Sequence, residues 1–374
     1  MYNYFINKLY KMNTDLTFIY DKIEAIEPVS YSKNRNYIDG AVSKLSPYIS
    51  RGVISTKEIL NSLLQRGFNP NKIEKFIQEL AWRDYWQQIW IEKQDLINSD
   101  LKNNQLKVDN HQIPKAIVEG NCSIEAIDNA IKEFYDTGYI HNHVRMYIAA
   151  ISCNNAKSHW KAPAQWMYYH LLDGDWASNA LSWQWVCGAN SNKLYFANQD
   201  NINKYCYTQQ KNTFLDVDYS EFYSMGIPSE LKETVDLKLT TPLPKTDNSL
   251  KIDTELPTLI YNYYNLDPKW RTEKKANRIL HIEPSVFENY PISRKSMDFM
   301  LNLSKNIDDI QLFVGSFEGL KELTEVSPLY FKEHPLNTHY KGIEDQRDWM
   351  FTVKGYYPSF FKFWNKCKKE LKTA

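Results

Sequence analysis

Residues 226–257, GIPSELKETVDLKLTTPLPKTDNSLKIDTELP, carry four prolines, mixed charge and no sustained apolar period. They divide the chain into two kinds of pattern and so restrict what it can fold into. Ahead of them the apolar residues recur at helical intervals. TKEILNSLLQRG (56–67) places Ile59, Leu63 and Leu64 on one face and stops at Gly67. KIEKFIQELAWRDYWQQIWIEK (72–93) is the strongest helix. SIEAIDNAIKEFYDTG (123–138) aligns Ile124, Ile127, Ile131 and Phe134, and HNHVRMYIAAISCNNA (141–156) and QWMYYHLL (165–172) continue in kind. No strand is expected there. Behind the proline-rich stretch the period shortens. TLIYNYYNL (258–266), RILHIEP (278–284), IQLFVG (310–315) and LYFKEHP (329–335) read as strands. SRKSMDFMLNLSKNI (293–307) and FEGLKEL (317–323) are helical segments among them, and FFKFWNKCKKEL (360–371) is a closing helix. Strand–helix alternation at this spacing predicts a mainly parallel sheet. The expected fold is therefore mainly α: a lead over 1–14, a large helical domain over 15–225, a linker over 226–256, and a small α/β domain over 257–374 with a Rossmann- or flavodoxin-like sheet.

Composition narrows the function classes. Lys+Arg and Asp+Glu are both 45, so a strongly basic nucleic-acid binder is not indicated, although a local basic patch is still allowed. Aromatic residues make up 14% of the chain, a content that fills a core with flat rings, stacks them on a ligand, or does both. Cys122, Cys153, Cys187, Cys206 and Cys367 form no CxxC pair, and no histidine pattern completes a metal signature, so no metal is expected. Unpaired, scattered cysteines fit a reducing cytoplasm. No apolar run is long enough to span a bilayer, and MYNYFINKLYKMN lacks a secretory h-region. A cytoplasmic monomer without membrane contact is expected.

Four stretches carry chemistry. In 72–93, Ile73, Phe76, Ile77, Leu80 and Ile91 form an aliphatic stripe, while Glu79, Trp82, Arg83, Trp86 and Trp90 share the opposite face. That second face suits a pocket wall, or a helix buried on both sides with Glu79–Arg83 as an ordinary i,i+4 pair. Asp84 points toward the aliphatic stripe and needs a buried partner. In GYIHNHVRM (138–146), His141, Asn142, His143 and Arg145 crowd a helix start, which suits an anion or simple capping. In DGDWASNALSWQW (173–185), Asp173 and Asp175 flank Gly174, and Asn179 lies one turn before Trp183. Two carboxylates on one turn accept hydrogen bonds from a ligand or cap a helix; no calcium-loop spacing follows. SYSKNRNYIDGAVSKLSPYISRGVIS (30–55) sets hydroxyls at a loop-to-helix junction, suited to a diphosphate, without a GxGxxG or Walker pattern.

Taken in order, YSKNRNYIDGAVSKLSPYISRG, ELAWRDYW, GYIHNHVRM and DGDWASNALSWQW resemble the FAD-binding helical domain of the photolyase/cryptochrome family, over about residues 15–205. The resemblance implies FAD held by Tyr31, Val42, Ser43, Lys44, Leu45 and Ser46 at its diphosphate and ribityl. It implies Asp173, Gly174 and Asp175 beside the flavin, and Asn179 facing flavin N5. Trp183 and Trp160 match the first two members of an electron-transfer chain. Glu79, Trp82, Asn142, Met146 and Trp185 match the pocket for a flipped-out cyclobutane pyrimidine dimer. Arg35 matches a DNA-backbone contact, and Arg83 and His143 join the expected DNA-facing set. The implied activity is that of a deoxyribodipyrimidine photolyase-type lyase. This blue-light flavoprotein repairs pyrimidine dimers in DNA by electron transfer from excited reduced FAD. The alternatives are a cryptochrome-like photosensor that binds FAD without repair, and a flavin-binding scaffold that has lost light chemistry.

The sequence departs from the family pattern in several places. Tyr139 stands for the usual Trp, His143 for Arg, and Ala180-Leu181-Ser182 for Asn-Gly-Gly. A third chain tryptophan is not found at its matching position; Trp176, Trp90 or a tyrosine are the candidates for its role. Family members mostly carry an α/β antenna domain ahead of the helical one, whereas here an α/β segment follows. It is expected to be a rearranged counterpart docked on the helical domain, and whether it holds a second, antenna chromophore is not legible.

Overall fold

Capping residues set where the helices begin. In the computed structural model, which describes residues 12–247, 250–324 and 327–371, Asp15, Ser55, Asp175, Ser293 and Ser359 each accept a bond from the backbone N–H three residues on. Most of the expected lead, residues 1–11, lies outside the described residues. The chain forms two compact units, each assembled from separated stretches. One takes Asn34–Val42 and Asp95–Leu239; the other takes Thr14–Lys33, Ser43–Gln94 and Thr240 onward. This differs from a division at the 226–256 stretch, because Ser43–Gln94 packs with the strands.

In the first unit, helices Glu125–Thr137, Asn142–Ala150 and Lys161–His170 fall on the stretches read as helical over 123–138, 141–156 and 165–172, and Trp176–Val186 and Gln199–Cys206 add two for which no bounds were expected. The Asn142–Ala150 helix runs on into a π-turn over Ile151–Asn155, closed by Ala156 N donating to Ile151 O at 2.9 Å. Both it and the Lys161–His170 helix pack on Trp176–Val186. Trp160, Trp166, Trp176, Trp183 and Tyr147 fill the core between them. A short antiparallel pair, β1 (Ile113–Pro114) with β2 (Thr234–Val235), was not anticipated. Two residues per strand leave no readable period.

In the second unit, β3 (Thr258–Tyr261), β4 (Asn277–Ile282), β5 (Ile310–Val314), β6 (Leu329–Lys332) and β7 (Ile343–Asp345) form one sheet in the order β5-β4-β3-β6-β7. Every neighbouring pair is parallel. This is the Rossmann order rather than the flavodoxin one, since the first strand of the sheet pairs with both the second and the fourth. Ile260, Ile279, Phe313, Phe317, Leu320, Leu329, Phe331 and Tyr340 make its core.

Sheets of this order take ligands at the carboxyl ends of the strands, where the order reverses, here between β3 and β6. In this protein the chain itself fills that crevice. The Arg51 guanidinium lies 3.3 Å above the Tyr263 ring, and Tyr264 stacks on His334 at 4.2 Å. Trp90 meets both Tyr264 and His334 edge-on. Gly52, at φ +67, allows this approach, because a Cβ there would stand 2.6 Å from Tyr264 O.

The Glu74–Lys93 helix is sheathed by the C-terminal segment. Asp84 through Trp90 are all buried, as expected of a helix covered on both sides. Tyr85 donates its hydroxyl to Tyr357 O at 3.0 Å, Arg347 donates to Gln87 Oε1 at 2.6 Å, and Gly355 N donates to Gln88 Oε1 at 3.0 Å. The partners that Asp84 requires are the Thr56 hydroxyl at 3.0 Å and Met350 N at 3.0 Å.

Candidate functional site

The expected site residues fall in both units, and each group is described within its own. In the first unit the DGDW turn is buried. Asp175 caps the Trp176–Val186 helix by accepting Ser178 N at 2.7 Å. Asp173 receives the Arg145 guanidinium at 3.1 and 3.0 Å on its two oxygens, with only 4% of its side chain exposed. Arg145 is braced in turn by donating Nε to Ile140 O at 2.9 Å. Gly174 lies where a Cβ would press on the carbonyls of Tyr168 and Leu171 at 3.0 and 3.1 Å. Asn179, one turn further on, is 8% exposed and donates its amide to Ala164 O at 2.8 Å. A buried carboxylate held by the half-buried Arg145, a second buried carboxylate and a buried amide thus stand within the seven residues 173–179. Arg145, read from the sequence only as one of four polar residues crowding a helix start, is the cation of this pair; its partner lies 28 positions away.

Trp183 and Trp160 are buried in the same unit, 2% and 0% exposed. Trp176 lies 6.5 Å from Trp160, ring centre to ring centre. Trp185 is the exception, 39% exposed beside Tyr195. Asn142 is exposed and Met146 half-buried. His143 is stacked on Tyr147 at 4.6 Å and lies 3.0 Å from Asn36 O through Nδ1. A carbonyl acceptor puts the hydrogen on Nδ1. Burial, helped by the Arg35 charge, holds the imidazole below its ordinary pKa. His143 is therefore neutral at pH 7 and offers no cation to a phosphate. It lines a hollow of about 400 Å³ together with Asn36, Tyr195, Tyr205, Tyr219 and Tyr223. Val42 is half-buried on this unit's side of the 41–46 loop.

In the second unit Ser43, Lys44 and Leu45 lead into the Ser46–Ser50 helix, with Lys44 at φ 54 and Leu45 N donating to Ser43 Oγ at 3.4 Å. Burial lowers the pKa of Lys22, and the Lys44 charge lowers it further. Two ammonium groups that repel one another form a donor set that a diphosphate would relieve. Tyr31 packs edge-on against Phe76 at 4.9 Å. Glu79 pairs with Lys75 at 2.8 Å, and Arg83 donates to Ser50 Oγ at 2.8 Å.

Trp82 is the predicted platform for a damaged base, and one of its faces is already taken. Phe360 stacks on it at 3.9 Å with 10° between planes. A base must therefore use the other face or displace Phe360. Replacing Phe360, which is 3% exposed, by alanine is expected to cost about 3–5 kcal/mol and to raise acrylamide quenching of tryptophan fluorescence. Unchanged quenching would show that Phe360 does not shield Trp82.

No helix among the described residues is long and apolar enough to cross a membrane. The family model described as the FAD-binding domain of DNA photolyase matches residues 76–249. The deoxyribodipyrimidine photo-lyase of Streptomyces griseus is 30% identical over 150 residues, which is 40% of this chain and 32% of its own length. That of Buchnera aphidicola subsp. Baizongia pistaciae is 26% identical over 267 residues, 67% of this chain and 53% of its own. A solved cryptochrome from Synechocystis sp. PCC6803 aligns with TM-score 0.46 and 22% identity, covering 50% of this chain and 42% of that one. The chain thus spans about a third to a half of the length of these relatives. The matched residues 76–249 include Arg145, Asp173, Asp175 and Asn179, and over that stretch the chain is similar to the FAD-binding domain of DNA photolyases.

Proposed function

We propose that this protein binds FAD and uses light to repair cyclobutane pyrimidine dimers in DNA. The observation that carries the reading is the buried Asp173 carboxylate held by the half-buried Arg145, with buried Asp175 and Asn179 following it in the same turn and helix. Fixed buried donors and acceptors of this kind suit a polar, flat cofactor whose charge changes during turnover. Asp173, Gly174, Asp175 and Asn179 would face the isoalloxazine ring. Tyr31, Val42, Ser43, Lys44, Leu45 and Ser46 would hold the diphosphate and ribityl, with Lys22 and Lys44 supplying positive charge. When bound, FAD supplies the one-electron photochemistry. The chain's own residues bind and orient. Glu79 would accept a hydrogen bond from the edge of an extruded dimer, Trp82 and Trp185 would each offer a ring face to its bases, and Asn142 and Met146 would contact it. Arg35 and Arg83 would carry positive charge toward the DNA backbone. The tyrosines around His143 offer ring faces to unpaired bases.

Two observations favour the photosensor alternative. His143 is neutral where the family pattern has a cation, and Phe360 covers Trp82. One experiment separates the two readings. The purified protein, reduced and illuminated with dimer-containing oligonucleotides, is expected to contain FAD and to remove dimers only in the light. Bound FAD without repair would favour the sensor, and absence of bound flavin would overturn both.

A further inference from the structure

Beside the buried tryptophans the first unit opens a hollow of about 500 Å³, lined by Asn98, Asp100, His111, His159, Lys161 and Gln165. We propose that this hollow is the exit of the electron chain, and that Asp100 is the base that takes the indole proton of Trp160 when Trp160 gives up an electron. The proposal rests on reading Trp183 and Trp160 as an electron relay.

The geometry separates Trp160 from its neighbour. Its ring is 0% exposed, yet its Nε1–H is donated at 2.7 Å to Asp100 Oδ1. Trp176 donates its Nε1–H at 2.7 Å to Asn98 Oδ1. A neutral amide takes up no proton, whereas a carboxylate at hydrogen-bond distance is a general base already in place. Asp100 is itself built in. Its Oδ2 accepts Gln105 N at 2.7 Å, and Gln105 Oε1 accepts Trp160 N at 2.9 Å. The loop bearing the base is thus tied to the residue it serves.

His159 completes the arrangement. Lys161 N donates to its Nδ1 at 3.4 Å, so the neutral ring carries its hydrogen on Nε2, which lies 3.1 Å from Asp100 Oδ1. One carboxylate oxygen therefore holds both the indole and the imidazole hydrogens. His159 lies 4.9 Å from His111, ring centre to ring centre, with 30° between their planes, at the rim of the hollow. Burial keeps the His159 imidazole below its ordinary pKa. Asp100 opposes that effect, and the His111 and Lys161 charges reinforce it.

An indole that has lost an electron is a far stronger acid at its N–H, and a positive charge on a fully buried ring is costly. The electron leaves Trp160 toward oxidised Trp183. The Nε1–H bond breaks and the proton passes to Asp100 Oδ1. The Trp160–Asp100 pair goes from a net charge of −1 to 0, with a neutral tryptophan radical facing a neutral carboxylic acid. Return of the electron from the flavin side then requires return of the proton, which delays recombination. A small thiolate entering the hollow restores the pair. It gives one electron and becomes a thiyl radical, while Asp100 returns its proton to Nε1. This arrangement ends the chain at its second tryptophan and answers for the missing third.

The test is flash excitation of the flavin-loaded protein, read by the transient spectrum of the tryptophan radical, in the parent, in Asp100→Asn and in Asp100→Glu. The parent is expected to show a deprotonated radical whose decay slows at low thiol concentration. Asp100→Asn keeps an acceptor for both hydrogens but no base. It should show the protonated radical with a lifetime shortened roughly 100-fold, and Asp100→Glu should recover part of the loss. The Trp160 indole N–H resonance, followed without light, checks that the hydrogen bond survives in each variant. A deprotonated, long-lived radical in Asp100→Asn overturns the proposal, as does a protonated radical in the parent, and both leave the relay intact. Flavin-loaded parent that forms no tryptophan radical overturns the relay reading and this proposal with it.

Discussion

Replacing Arg145 by methionine is expected to destabilise the protein by about 3–5 kcal/mol, because it leaves a buried carboxylate without its cation. Asp173 keeps 4% side-chain exposure and meets the guanidinium through both oxygens. A methionine fills comparable volume, so lost packing does not dominate. The second arm is Asp173→Asn, which removes the charge and keeps the shape. The double variant Arg145→Met/Asp173→Asn is expected to cost clearly less than the sum of the two single changes, since neither charge is then stranded. Urea denaturation of the four proteins reads this directly. Additive costs would show that the two groups do not act as a pair. On the FAD reading, the single Arg145 variant should also purify with less bound flavin.

Asp84 supplies the second prediction, in the other unit and with a pH signature. Desolvation raises its carboxyl from 3.8 to about 6, against the lowering effect of its bonds from Met350 N and Thr56. The folded state therefore binds this proton more tightly than the unfolded chain does. The contribution of Asp84 to stability is full below pH about 4 and is lost as the pH rises through about 6, a change of about 3 kcal/mol. Asp84→Asn has nothing to titrate. The stability of the variant minus that of the parent should grow by about 3 kcal/mol between pH 3 and pH 8. A difference that stays level across that range would mean that Asp84 remains ionised in the fold even in acid.

Asp84 also marks how far sequence reading reaches. Its position on an apolar face showed that it required a buried partner. The partner is a backbone amide 266 residues away, which no local pattern contains. The same division runs through the fold. LYFKEHP was legible as a strand because a short apolar run ends there in turn-like residues, and β6 buries alternate side chains of it. β7 was not, because Ile343, Glu344 and Asp345 form an edge with Ile343 47% exposed; only the ladder to Tyr330, Phe331 and Lys332 makes it a strand. The choice between Rossmann and flavodoxin order stayed open because it depends on pairing between β3 and β6. At the candidate site, Asp173, Asp175 and Asn179 stand out through motif resemblance. The Arg145 ion pair, the Trp160–Asp100 bond and the Phe360 cover on Trp82 are tertiary facts that spacing does not encode.

The interleaving of the second unit has a consequence for how the protein is made. Tyr85 and Tyr357, joined by a hydrogen bond, are 272 residues apart in the chain. At ordinary translation speeds the Glu74–Lys93 helix emerges from the ribosome roughly 15–55 s before the segment that covers it. Through that interval Trp82, Tyr85, Trp86 and Trp90 lack the cover they have in the finished fold, long enough for a chaperone to bind and for a nascent chain at high concentration to aggregate. Slowing synthesis downstream of residue 94 is therefore expected to lower the yield of folded protein in cells, while the stability of the mature protein stays the same.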